Sequence, residues 1–244
     1  MQRYFLEERA EVGSLFLISS KDDVHHIKNV MRQNVGDELI INFSNGSFKA
    51  AIASMTEGIE VKVQEALDLL TELPVQITIA SGILKNDKYE WMLQKATELG
   101  AGAFIPFQGE FSVVKWDERK ADKRLERFRK IIKEAAEQSY RQHIPEIDFI
   151  GELNNISRDF DHIIIAYEES AKNHEQRALQ QALKSFRPDD RVLMVFGPEG
   201  GLSEKEINLL EGVQVGLGPR ILRAETAPLY ALSAVSYHLE LLEQ

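Results

Sequence analysis

Cysteine is absent from this chain. Its absence excludes disulfides, thiolate catalysis and thiolate metal sites together, and it fits a reducing cytoplasm. Long apolar runs are missing as well. No uncharged stretch approaches the roughly 18 residues that a membrane helix needs, and the N-terminus MQRYFLEERAEVG has no apolar core followed by small residues. A soluble protein that is not secreted is expected. Catalytic signatures are also lacking. The sequence has no Walker loop with its Lys followed by Ser or Thr, no G-x-G-x-x-G, no His-x-x-x-His and no aromatic RNP-type motif. Nor does it place a Ser-His-Asp arrangement. Readings as a dinucleotide enzyme, P-loop enzyme, metalloenzyme, triad hydrolase or RRM lose their support, and no bound metal is expected.

Basic charge is in deficit. Lys and Arg number 29 against 39 Asp and Glu, a net charge of -10, which argues against coating nucleic acid by bulk charge. The balance is uneven: 7 basic against 12 acidic residues in 1–73, 13 against 12 in 74–150, and 9 against 15 in 151–244. Within KWDERKADKRLERFRKIIK (115–133) nine basic residues meet four acidic ones. Two readings of that strip stand side by side: a solvated helix face laced with i,i+4 ion pairs, and a patch that faces phosphate.

What is present suggests two domains in 244 residues. Residues 1–73 carry short alternating runs, with Asn45-Gly46 between apolar stretches as a hairpin signal and IEVKVQEAL as a further strand. A small β-barrel or sandwich is expected there, with KDDVHHIKNVMR as one helix. His25 and His26 are adjacent, so they share no helix face and read as surface residues. From Pro74 the texture changes to α/β alternation: strand VQITIASGIL, helix KYEWMLQKATELG closed by Gly100, strand AFIPF, the basic helix, strand DHIIIAYEES, helix NHEQRALQQALKSF and strand RVLMVF. Ser203 to Glu206 has the S-x-x-E spacing of a capping box, which makes Glu206 a cap, and Gly212 suits a left-handed helix end. A short strand VQVGL and a long apolar helix close the chain.

Two loops carry the chemistry. In the first, strand RVLMVF ends at Phe196 and breaks into Gly197, Pro198, Glu199, Gly200 and Gly201. A loop that gives up its side chains straight after a buried strand brings backbone close to a ligand. Its Pro-Glu pair suits a neutral or cationic ligand better than phosphate; a ligand-free strand-helix connection is the alternative. The second loop, LGPRILRAETA (217–227), also follows a short strand and precedes a helix, so the two could wall one pocket. There Thr226 can cap the helix with Pro228 in its first turn. Arg220, Arg223 and Glu225 lie together, and a simple Arg223–Glu225 pair is the plainest reading of them.

FGPEGGLSEKE and LGPRILRAETA, with KATELG and EAAEQSYRQHIP upstream in that order, resemble the ribosomal RNA small subunit methyltransferase E family, within the SPOUT superfamily of S-adenosylmethionine-dependent RNA methyltransferases. The resemblance covers essentially the whole chain. It implies an α/β fold class: a C-terminal SPOUT-type α/β trefoil-knot domain over 74–244 and a smaller N-terminal PUA-like β-barrel, the RNA-binding part, over 1–73. It also implies a cytoplasmic homodimer. The implied reaction methylates N3 of a specific uridine in 16S rRNA, with the assembled small ribosomal subunit as the expected substrate. Under this resemblance Phe196, Gly197, Pro198, Glu199, Gly200, Gly201, Leu217, Gly218, Ile221, Leu222, Thr226 and Ala227 hold S-adenosylmethionine. Arg141 and Arg223 are the candidates for holding the flipped uracil or its phosphate, and Glu225 for orienting an arginine or accepting the proton. The sequence departs from the family pattern at Ala224, usually Thr, and at Tyr140, usually a smaller residue. The helix APLYALSAVSYHLELL fits a dimer interface or a buried core equally. Two other functions fit parts of the sequence. An inactive RNA-binding or ribosome-binding protein would leave both glycine loops unexplained, and a small-molecule enzyme using another nucleotide would leave the basic helix unexplained.

Overall fold

A computed structural model describes residues 1–85, 87–167 and 177–242. The chain divides into two compact units: Met1–Thr71 with Tyr140–Ile144, and Glu72–Ser139 with Pro145–Gln244. The sequence suggests a single cut after residue 73, because nothing in the pattern of 140–144 marks it as part of the first unit.

The first unit contains β1 (Arg3–Phe5), β2 (Leu15–Ile18), α1 (Lys21–His25), β3 (Glu38–Phe43), β4 (Gly46–Ser54) and β5 (Ile59–Leu67). A π-helical turn over His26–Val30 continues α1. The strands form one sheet in the order β1-β3-β4-β5-β2, with β1 parallel to β3 and the other pairs antiparallel. Alternation along β3 buries Leu39, Ile41 and Phe43, and the Phe43 ring packs against Phe16 and Phe48 at 4.6 and 5.6 Å. His25 is exposed, while His26 Nδ1 shares a 2.9 Å hydrogen bond with the Tyr4 hydroxyl. The hairpin turn falls one residue earlier than Asn45-Gly46. Ser44 and Asn45 make the turn and Gly46 already pairs with Phe43, because the Asn45 amide accepts from Ala10 N and donates to Ala10 O, both at 2.9 Å.

Polar groups tie Tyr140–Ile144 into this unit. Arg3 Nη1 donates to the Tyr140 carbonyl at 2.8 Å, and its guanidinium lies 4.5 Å from the Tyr140 ring centroid. Asn42 Nδ2 donates to the Arg141 carbonyl at 2.9 Å, and Ser47 Oγ donates to Asn42 Oδ1 at 2.7 Å. Arg3, Asn42 and Ser47 are all buried, so each needs such a partner.

The second unit contains β6 (Gln76–Gly82), α2 (Lys88–Glu98), β7 (Ala103–Phe107), α3 (Glu118–Gln138), β8 (Glu146–Ile147), β9 (His162–Ala166), α4 (Ala178–Leu183), β10 (Arg191–Phe196), α5 (Glu204–Asn208), β11 (Val213–Val215) and α6 (Ala227–Ser236). Its sheet runs β11-β9-β10-β6-β7-β8 and every pairing is parallel. A parallel sheet is covered on both faces, which is why RVLMVF reads as a continuous apolar run. Val192, Met194 and Phe196 join the core on one face with Met92 of α2, Phe128 of α3 and Leu232 of α6. Leu193 and Val195 join Leu202, Ile207 and Leu210 on the other.

Gly100 closes α2 at φ +98° as expected. Gly212 does not take the left-handed conformation expected of it. It is small for another reason: a Cβ there would stand 2.7 Å from Ile163 Cγ2. Of the expected strand 161–170, residues 168–170 lie outside the described residues, as do 173–176 of the expected helix 173–186. Residues 243–244 at the end of the chain do so too.

Tyr140 follows the end of α3 at φ +64°, a left-handed position that a side chain with a Cβ occupies at a cost of roughly 1–2 kcal/mol. Tyr140→Ala and Tyr140→Gly both remove the ring from Arg3, but only glycine removes the strain. Tyr140→Gly is therefore expected to be more stable than Tyr140→Ala by about 1 kcal/mol, as read from urea unfolding followed by circular dichroism. Equal stabilities would show that the backbone there carries no strain.

Candidate active site

The carboxyl ends of β9, β10 and β11 open onto a cavity of about 530 Å³. Ala166 ends β9 there with Tyr167 just after it, Phe196 ends β10 and Val215 ends β11. Open parallel sheets place ligand sites at this edge, and the volume falls within the usual range for small-molecule sites.

The loop after β10 forms one wall, with Gly197, Pro198, Glu199, Gly200, Gly201 and Leu202. Space explains its composition. A Cβ on Gly200 would stand 2.6 Å from Phe111 Cβ and 3.0 Å from the Phe111 carbonyl oxygen. Gly201 turns the chain at φ +79°, its N–H donating to the Pro198 carbonyl at 2.9 Å, and nothing lies within 4 Å of where its Cβ would be. Ser203 and Glu206 form the expected capping box on α5. Glu206 also accepts from the Glu110 amide at 2.9 Å, which fastens the segment carrying Phe111 to this loop.

The loop between β11 and α6 forms the other wall. Leu217, Ile221, Leu222, Arg223, Glu225 and Ala227 line the cavity, with Arg220 and Ala224 beside them. Gly218 and Thr226 are not among the lining residues. Gly218 serves the turn at φ +82°. Thr226 stands at the N-cap position of α6, but its hydroxyl makes no capping hydrogen bond, since its own backbone is already helical at φ -91° and ψ -32°. Pro228 sits in the first turn as expected. Arg141 is not among the residues that line this cavity. It belongs to the first unit and is only 3% exposed.

Arg223 is not the ion-pair partner of Glu225. Lys88, the first residue of α2, meets Glu225 Oε1 at 3.0 Å and lines the same cavity. The start of α2 is anchored next to it. Tyr89 is buried, its hydroxyl shares a 2.8 Å hydrogen bond with Ser81 Oγ of β6, and its ring stacks on Phe128 at 5.3 Å. Burial pushes the Tyr89 phenol above its ordinary range, against the pull of Ser81. For Glu225, desolvation works upward, but its own backbone amide, Lys88 and the charge of Arg223 outweigh it and hold the carboxyl below the usual carboxylate range. Glu225 Oε2 is buried without a hydrogen-bond partner. Lys88, Phe111 and Tyr167 escape a reading based on the glycine loops. The first two come from segments more than 80 residues upstream in sequence, and no spacing rule joins a helix N-terminus to a distant loop.

Lining cations are Lys88, Arg220 and Arg223, against the carboxylates Glu199 and Glu225. Glu199 already accepts from the Lys85 amide at 3.1 Å. Three cations against two engaged carboxylates leave the surroundings favourable to a partner with negative charge. In the basic helix, Arg127 pairs with Glu90 at 2.7 Å, Arg129 with Asp148 at 3.5 Å and Lys133 with Glu137 at 3.5 Å, and Arg124 lies 5.3 Å from the Trp116 ring centroid. Three of these four side chains are ion-paired, but only Lys133–Glu137 is an i,i+4 pair within the helix; Arg127 and Arg129 reach carboxylates outside it. No group of His, Cys, Asp and Glu among the described residues could hold a metal ion, and no helix among them is long and apolar enough to cross a membrane.

Residues 71–236 match the family described as RNA methyltransferase domain, and residues 20–65 match the RNA methyltransferase PUA domain. Ribosomal RNA small subunit methyltransferase E of Bacillus subtilis strain 168 is 48% identical over an alignment of 253 residues, spanning 99% of this chain and 98% of that protein. A protein from Legionella pneumophila, solved in complex with the bound cofactor SAM, is 28% identical with a TM-score of 0.81 over 96% of each chain. Ribosomal RNA small subunit methyltransferase E from Neisseria gonorrhoeae, solved bound to S-adenosyl methionine, is 28% identical with a TM-score of 0.79 over 97% of each chain.

A carboxyl held below its ordinary value favours the folded, ion-paired state above the usual carboxylate range and loses that contribution as pH falls through the lowered value. Titration of Glu225 by carbon-detected NMR is expected to show a midpoint below 4.5. In Lys88→Met the midpoint should move upward. An unchanged midpoint would mean that Lys88 does not hold the carboxylate.

Proposed function

This chain belongs to the ribosomal RNA small subunit methyltransferase E family, and from that premise we propose that it methylates N3 of a specific uridine in 16S rRNA, using S-adenosylmethionine. The observation that carries the proposal is the cavity at the strand ends, walled by the two glycine-bearing loops. Several of its features suit the cofactor. The Gly197–Gly201 backbone lies open to a ligand with space beside Gly201, Leu217, Ile221 and Leu222 offer apolar walls, and Glu225 Oε2 is a buried acceptor with no donor. Bound there, S-adenosylmethionine supplies an electrophilic methyl group on a sulfonium.

The rest is the work of this chain's own residues. Amides and carbonyls of Gly197–Gly201 and of 217–222 position the cofactor, while Phe196 and Ala227 close its sides; Gly218 and Thr226 set the turn and the helix start behind that wall. Arg223 and Arg220, both exposed at the rim, reach the RNA backbone or the flipped base. Arg141, buried in the first unit, acts as a positioning residue that secures Tyr140–Ile144, not as a group that touches substrate. Glu225 is a poor proton acceptor near neutral pH because Lys88 and Arg223 favour its ionised form. Its service is to hold a cation in place. The uracil proton then leaves to water.

A homodimer working in the cytoplasm on the assembled small subunit completes the reading. Tyr230, Tyr237 and Leu241 recur at i, i+7 and i+11 along α6 and its π-helical continuation (Tyr237–Leu242), and all three are exposed. An exposed apolar stripe of this kind fits a second copy of the chain.

Calorimetric titration with S-adenosylhomocysteine is expected to show saturable binding that Gly200→Val weakens about 10-fold or more, because the added side chain collides with the Phe111 backbone. Absence of binding by the folded protein would favour an inactive RNA-binding role. Small subunits treated with enzyme and cofactor should yield N3-methyluridine on digestion to nucleosides and mass spectrometry, faster than naked rRNA does. Light scattering should report a dimer for the wild type and a monomer for Tyr237→Asp/Leu241→Asp; a dimer from both would move the interface elsewhere.

A further inference from the structure

We propose that Lys88 is a catalytic residue, its ammonium contacting the carbonyl oxygen of the target uracil and stabilising the negative charge that forms when N3 loses its proton. The inference rests on the uridine-N3 reading above and deepens it.

The geometry is that of a cation held from behind and open in front. Glu225 grips Lys88 at 3.0 Å, with 13% of the carboxylate side chain exposed against 34% of the lysine side chain. An ammonium has three donors. Glu225 takes one, and among the described residues no protein acceptor takes the other two. The backbone that carries Lys88 is fixed by the buried Tyr89 and its bond to Ser81, so little reorganisation is needed when charge develops on the substrate. The remaining cations of the cavity, Arg220 and Arg223, are exposed at its rim, where phosphate lies more readily than a flipped base. Lys88 comes from α2 and lines the same space.

The chemistry asks for such a group. A uracil N3–H lies between two carbonyls, and its ionisation spreads negative charge onto both oxygens. In the balanced step the N3–H bond breaks with its proton passing to water. The nitrogen electron pair forms the new N–CH3 bond, and the C–S bond breaks with its pair remaining on sulfur. A cation against a carbonyl oxygen lowers the cost of the first event and leaves the second unhindered. Glu225, already ionised, keeps the ammonium from turning toward bulk solvent.

Three enzymes decide the matter: wild type, Lys88→Met and Lys88→Arg, each tested on small subunits across pH and each titrated with S-adenosylhomocysteine. Lys88→Met should lose about 10²-fold in kcat/KM near neutral pH, a loss of the size seen when one donor to a developing anion is removed. The deficit should shrink as pH rises, because ionisation of N3 then proceeds without the lysine. Lys88→Arg should recover most of the rate, and all three should bind S-adenosylhomocysteine with similar affinity. A loss of cofactor-analogue affinity matching the loss of rate would assign Lys88 to the cofactor and overturn the proposal. So would a deficit that does not change with pH, or no deficit at all. A wild-type product other than N3-methyluridine would overturn the parent reading, and the proposal with it.

Discussion

Glu206 accepts three hydrogen bonds from two segments that lie far apart in the sequence. Its Oε2 takes the Ser203 amide at 2.8 Å and the Ser203 hydroxyl at 3.0 Å, while Oε1 takes the Glu110 amide at 2.9 Å. The carboxylate is buried, so an unmet bond would be costly, and meeting all of them fixes two loops against each other. One loop caps α5 and carries the glycines that wall the cavity. The other brings Phe111 to the position that leaves Gly200 no room for a side chain. The site is therefore shaped by a residue that never faces it. Pro198 is locked in the same way, since a Cβ on Gly82 at the end of β6 would overlap its ring.

Local signals in the sequence follow this order of strength. The capping box over Ser203–Glu206 is legible because its two partners lie three residues apart, and the buried strands are legible because a parallel sheet leaves no polar alternation. The two loops that flank the cavity are legible for the same reason: each follows a strand and precedes a helix. What escapes the sequence is what joins distant segments. The Lys88–Glu225 pair spans 137 positions, and until the fold is known Arg223 is the nearer and more obvious partner. The hairpin turn shifts by one residue because Asn45 is committed to Ala10, and Gly212 is small because Ile163 lies beside it, not because the helix ends there. The expectation of a trefoil knot rests on the family resemblance alone, since threading leaves no trace in local pattern.

Charge is distributed in a way the total conceals. The chain is strongly acidic, yet the cavity is lined by more cations than carboxylates, and both carboxylates are already engaged, Glu225 by an ammonium and Glu199 by an amide. On the basic helix, pairs such as Arg127 with Glu90 are solvent-facing and each is worth little, typically under about 1 kcal/mol. Such pairs break at small cost when a polyanion competes for the arginine. An ion-paired face and a phosphate-binding face thus differ only in what else is present.

Tyr140–Ile144 completes the first unit with five residues that arrive from the middle of the second unit's sequence. Arg3, Asn42 and Ser47 find their hydrogen-bond partners there. No contiguous stretch of the gene therefore encodes the whole of the first unit. Cut out as residues 1–71, it would leave those groups facing an empty groove, and grafted onto another protein it would lack the piece that finishes its surface. The two units are bound to be inherited together, and recombination that shuffles whole modules would find no clean seam between them.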